Sequence, residues 1–104
     1  MISKQTRKML KSRAKFNSEV IGRDMQCRAY GSDCSGYLQP HHIVGRVSSK
    51  DDVKENGITL CTEHHRRITD GHLKVHASWL TEDQIDWIVK RKWQNWGGII
   101  WDRS

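Results

Sequence analysis

The chain has 104 residues, 29% of them charged, and a net charge of +6, which is one domain's worth of sequence with no room for a second independent core. Only 21 residues are Leu, Ile, Val or Phe, near the lower edge for a self-sufficient hydrophobic core, so something besides apolar burial is expected to hold the fold together. No apolar run exceeds three residues; this argues against a membrane span or signal-peptide core and for a protein of the cytoplasm.

In chain order, residues 3–21 read as a helix. Ser3 or Thr6 can cap it, Met9, Leu10, Ala14, Phe16, Val20 and Ile21 are its apolar positions, and Gly22 is the expected stop. Residues 24–40 lack periodicity and hold Cys27, Cys34, Gly31, Gly36 and Pro40, the composition of a knuckle that needs outside support. Leu38–Val44 and Ile58–Leu60 read as short strands around a polar, turn-rich stretch. Thr62 is the expected N-cap of a helix running to about Asp70, with Gly71 as its stop. His72–His76 alternates, with Leu73 and Val75 facing inward, and His72 and His76 are expected to face solvent. Thr81-Glu82-Asp83-Gln84 has the form of a capping box, and Ile85, Ile88, Val89, Trp93 and Trp96 continue at helical spacing to Gly97 and Gly98. That stripe assigns Trp93 and Trp96 to the core and leaves Trp87 or Trp101 for the surface. No internal repeat or low-complexity tract interrupts the order.

Charge is uneven along this order. Residues 1–24 carry +5, residues 25–89 carry −2 and residues 90–104 carry +3. Basic flanks suit a binder of the phosphate backbone. On charge alone an acidic membrane surface, or plain solvation of helix faces, would serve equally well.

Three cysteines cannot all pair, and together with six histidines in a small chain they read as metal ligands rather than a disulfide scaffold. Cys61-Thr62-Glu63-His64 has the C-x2-H spacing that lets the residue before a helix and one in its first turn close on the same ion. With Cys27 and Cys34 from the knuckle it makes a closed Cys3His tetrahedron, a structural zinc site. The competing readings are buried apolar cysteines or a Cys27–Cys34 disulfide. All six histidines lie between residues 41 and 76, and four form the adjacent pairs His41-His42 and His64-His65. Neighbours diverge by about 100 degrees on a helix and point to opposite faces of a strand, so the members of each pair serve different tasks.

With Cys61 and His64 assigned to zinc, His41, His42 and His65 remain. Leu38-Gln39-Pro40-His41-His42-Ile43, Asn56 fourteen positions after His42, and His65 nine positions after Asn56 resemble the HNH endonucleases of the ββα-metal class. Leu60-Cys61-Thr62-Glu63-His64-His65 resembles the family's L-C-x-x-C-H signature, with His64 in place of the usual cysteine, and Arg23-Asp24 to Cys27 resembles its R-D-x-x-C lead-in. The match covers about residues 20–71 and is most similar to the small stand-alone HNH proteins of bacteriophages and prophages.

The resemblance implies an α+β fold, a ββα-metal core stabilised by the zinc knuckle and flanked by N- and C-terminal helices. In it the single domain (1–104) divides into a basic helix (1–22), the knuckle and core (23–71), and a C-terminal helix with a Trp-rich tail (72–104). It implies a metal-dependent DNA endonuclease of low sequence specificity. His41 and His65 would hold one catalytic divalent cation (Mg²⁺, Mn²⁺, Ni²⁺ or Co²⁺), His42 would be the general base, and Asn56 would tie the long loop to the first strand and orient His42. Arg46, Arg66 and Arg67 stand where they could clamp phosphates, or serve solubility. The implied partner is DNA, the implied setting phage genome packaging in the host cytoplasm alongside a terminase or other packaging proteins, and the expected state a monomer. Homing or restriction-type cleavage is the alternative setting, and a non-catalytic zinc module that binds nucleic acid or protein is the alternative function. The complete histidine triad favours the enzyme.

Overall fold

The structure, a computed structural model, describes residues 4–29, 33–45, 49–93 and 96–102. Among the described residues it is a small α+β assembly of three α-helices and two two-stranded sheets. Helix α1, Lys4–Asp24, packs Phe16 and Val20, one turn apart, against the first sheet. The helix does not stop at Gly22. It runs to Asp24 and ends where Met25 takes a left-handed φ of 58°, because its last turn is held from outside. The Arg23 guanidinium donates to the carbonyls of Lys54 and Gly57, each at 2.7 Å, and the Asp24 carboxylate accepts the Thr59 amide at 2.9 Å.

Strands β1, Leu38–His42, and β2, Gly57–Cys61, pair antiparallel with His41 opposite Ile58 and His42 opposite Gly57. The first strand is two residues shorter than its apolar pattern predicts, since Val44 is taken out of the ladder by the Asn56 side chain. Gly57 is extended, with φ −120°, so Asn56-Gly57 is not a hairpin turn. A Cβ there would collide with Val20 and Phe16, which makes this glycine a contact point for α1.

Helix α2, Thr62–Thr69, follows β2 directly, and Gly71 at φ 80° ends it as expected. Its N-cap is Cys61, whose Sγ accepts the His64 amide at 3.4 Å. Thr62 is displaced from that role because its hydroxyl bonds the Tyr37 amide at 2.9 Å. Val75 and His76 form β3, which pairs in parallel with β4, Ile99–Ile100, a long-range contact with no local signal.

Helix α3, Glu82–Lys90, carries the expected capping box of Thr81 and Gln84. Gln84 also donates to the Gly57 carbonyl at 2.7 Å in the core. The helix does not continue to Trp96. Lys92 turns left-handed at φ 61°, and the amides of Lys92 and Trp93 close back on Val89 and Ile88, each at 2.9 Å, a Schellman end that folds Trp93 onto the core. The tryptophan assignments change with it. Trp96 is exposed rather than core, Trp87 packs against the core under the Arg91 guanidinium, and Trp101 is exposed as anticipated for one of the pair. The core itself is Ile58 and Leu60 of β2 with Val75, Leu80, Ile88 and Ile99. Among the described residues no helix is long and apolar enough to cross a membrane.

Candidate functional site

Two clusters of side chains lie at the junction of β1, β2 and α2. The first is the Cys3His group. Cys27 comes from the turn after α1, Cys34 from the segment before β1, Cys61 from the end of β2 and His64 from the first turn of α2. Their donor atoms lie within 4.8 Å of one another. His64 Nδ1 is 3.5 Å from Cys27 Sγ, 3.5 Å from Cys34 Sγ and 3.0 Å from Cys61 Sγ. Around a tetrahedral zinc with the usual bond lengths, a sulfur and a nitrogen ligand sit about 3.5 Å apart. All three cysteines are free thiols, so no Cys27–Cys34 disulfide forms.

Burial alone would push the Cys61 thiol up, but amide hydrogen bonds from His64 and Ser35 and contacts with His64 and Cys34 outweigh it and bring the thiol down to about 6. It is therefore a thiolate at neutral pH, the form that ligates metal. His64 Nε2 meets Asp33 Oδ1 at 3.2 Å, the carboxylate–histidine arrangement that fixes which ring nitrogen faces a metal. Asp33 is itself paired with Arg67, whose hydrogen bond, ahead of the other contributions, holds its carboxyl below the ordinary range. The four residues are thus positioned to bind a metal ion, and the donor set suits structural zinc. Asp33, next to the Cys34 ligand, was legible only as an acid beside a cysteine.

The second cluster is built on β1. His41 and Gln39, two apart, share one face of the strand. His65 of α2 comes to that face, its ring 5.1 Å from that of His41 and edge-on to it. Gln39 Oε1 lies 2.6 Å from His65 Nδ1; with the amide oxygen accepting, the proton sits on Nδ1 and Nε2 keeps its lone pair. Burial, and after it the neighbouring charges of His65 and His42, pull the His41 pKa down to about 4. His41 is accordingly neutral at physiological pH, with a lone pair free for a cation.

His42 points to the other face, toward α1, as alternation along a strand requires. Its ring stacks on Phe16 at 4.1 Å and 5°, and its Nε2 is 2.9 Å from Asp52 Oδ1. Asn56, fully buried, accepts the Val44 amide at 2.9 Å and donates to the carbonyls of Val44 and Asp51 at 3.1 and 3.0 Å. It ties the long loop to the end of β1, as expected, while the direct contacts that hold His42 come from Asp52 and Phe16. Neither was visible as a site residue in the sequence.

Of the three arginines, Arg46 lies outside the described residues. Arg66 is paired with Glu63 at 2.6 Å and Asp70 at 2.9 Å, and Arg67 with Asp33 and Glu63. Both guanidinium groups are thus engaged by the chain's own acids. His76, expected in solvent, bonds Asp102 at 2.7 Å, which also accepts from the Ser78 amide and hydroxyl at 2.9 and 3.0 Å. Comparison of the chain with protein-family models, curated proteins and solved structures returns no match.

Proposed function

We propose that this protein is a metal-dependent DNA endonuclease of the HNH type. The observation that carries the reading is the meeting of His41 and His65, 24 positions apart in the chain, as two imidazoles 5.1 Å apart on one face of β1, with His42 following His41 in the chain and facing α1. Two protein nitrogens leave most of a cation's coordination positions for water and phosphate oxygens, the mark of an open site. A bound divalent cation supplies Lewis-acid stabilisation of the phosphate charge and of the departing 3′ oxygen.

The chain's own residues do the rest. His42, one-quarter exposed at its side chain, takes a proton from the attacking water, and Asn56 holds the loop that carries Asp52 beneath it. The products are 3′-hydroxyl and 5′-phosphate ends. Exposed Lys11, Arg13 and Lys15 on α1 supply positive charge suited to backbone contacts without base readout. The Cys3His knuckle staples β2 and α2 to the turn after α1 and so fixes the scaffold of the cleft. Genome packaging in a phage-infected cell is the setting this reading favours.

The test is nicking of supercoiled plasmid by the zinc-loaded protein with Mg²⁺, Mn²⁺, Co²⁺ or Ni²⁺, and with EDTA. Cation-dependent conversion to open-circular and linear DNA is expected. Tight DNA binding without cleavage under every cation would replace the enzyme with a non-catalytic zinc module.

A further inference from the structure

We propose that Asp52 is a positioning residue for His42, selecting the ring tautomer that makes Nδ1 the proton-accepting atom; the inference rests on the nuclease reading above. The Asp52 side chain is 0% exposed, whereas the His42 side chain keeps 24%. Asp52 Oδ1 is 2.9 Å from His42 Nε2, and Oδ2 accepts the Ser12 hydroxyl at 2.8 Å. A carboxylate accepts hydrogen bonds and does not donate them, so the neutral imidazole must carry its proton on Nε2 and its lone pair on Nδ1. Phe16, stacked at 4.1 Å and 5°, fixes the plane of the ring, and the 2.9 Å contact of Nε2 with Asp52 fixes which way the ring lies in that plane.

An amide at position 52 could bond both Ser12 and His42 without the cost of burying an acid. What a carboxylate adds is a single choice of tautomer and an opposite charge for the imidazolium once it forms. In the step itself the Nδ1 lone pair takes a proton from water as the water oxygen bonds to phosphorus. The P–O3′ bond breaks, and the 3′ oxygen leaves with the bonding pair and is protonated by solvent. Asp52 takes up no proton; it holds the imidazolium through Nε2–H. Ser12, from α1, and Asp52, from the segment before β2, thus act on a residue of β1, and the N-terminal helix becomes part of the catalytic apparatus rather than a basic appendage.

The experiment has two arms. Two-bond ¹⁵N–¹H correlation of the neutral His42 ring in the zinc-loaded wild-type protein is expected to show the Nε2–H form; the Nδ1–H form overturns the inference whatever any variant does. In the second arm, Asp52→Asn should lower kcat for plasmid nicking about 100-fold or more, with KM changed less than about threefold, zinc content unchanged and the Nε2–H preference lost. Ser12→Ala, which leaves the acid in place and removes only the serine's hydrogen bond to it, should cost only a few-fold. If wild type cuts DNA and Asp52→Asn cuts equally well, the inference fails and the nuclease reading stands. If wild type cuts nothing with any cation, both fail.

Discussion

The knuckle and the His41–His65 pair share α2, and residues 64 and 65 stand side by side on it, yet on the proposed reading they serve opposite kinds of site. Around the knuckle four donors converge, three of them buried, and an acid beyond the histidine completes the set. The other cluster brings two imidazoles to one face of β1, that of His65 held by the Gln39 amide. A full complement of soft ligands leaves no position for a reactant and makes a metal a structural part; on the proposed reading, two nitrogen ligands would leave a cation open to exchange and to a reactant. One turn of helix can feed both because successive side chains diverge by about 100 degrees. The ligand types, more than the location, divide the labour.

The largest effect should come from breaking the closed site. Cys61→Ser is expected to release zinc and unfold the domain, since structural zinc contributes on the order of 10 kcal/mol to folding; metal analysis with circular dichroism checks both. EDTA should separate the two sites in wild type, abolishing cleavage while zinc and fold persist over the same interval. A protein that loses cleavage and fold together at the same chelator concentration would erase the distinction.

His42→Ala should come next, lowering cleavage by a factor of about 100 to 10,000 while zinc content is unchanged and stability falls by about 1 kcal/mol through the lost stack on Phe16.

A smaller shift is expected from the ligand type at position 41. Burial keeps His41 neutral well below neutral pH, and paired imidazoles prefer borderline transition ions, so Mn²⁺, Co²⁺ or Ni²⁺ should half-saturate nicking at lower concentration than Mg²⁺. His41→Asp should move the preference toward Mg²⁺ by about tenfold or more with the fold intact. Equal half-saturation by all ions in wild type would mean that position 41 does not contact the cation.

The smallest effect lies far from both sites. Hydrogen bonds from His76, and after it the Ser78 amide, lower the Asp102 pKa from 3.8 to about 2. Its contribution is therefore fully present above 3.8 and is lost only as pH falls through about 2. At neutral pH Asp102→Asn should speed hydrogen exchange at the Ser78 amide and along the β3–β4 pairing, leaving zinc and cleavage unchanged.

Features of short sequence range were legible. The capping box at Thr81 and Gln84, the stop at Gly71, the C-x2-H spacing that sets Cys61 and His64 one helical turn apart, and the opposite facing of His41 and His42 all follow from local periodicity. Tertiary structure decided the features in which a distant residue outcompetes a local preference. Thr59, Lys54 and Gly57 extend α1 past its glycine; the Schellman closure stops α3 before Trp96 although the apolar spacing continues; Tyr37 takes Thr62 away from capping. The same holds at the sites. The cysteine set could be picked by type and spacing, and the pairing of His41 with His65 was implied by the family resemblance, but Asp52 reaches His42 from 10 positions away and Ser12 reaches Asp52 from 40, and nothing in a polar loop or a basic helix marks them. Ligand chemistry is written in residue type and spacing, whereas the partners that orient a ligand or a base are chosen by which surfaces pack together, and here packing α1 on β1 and β2 around Gly57 makes that choice.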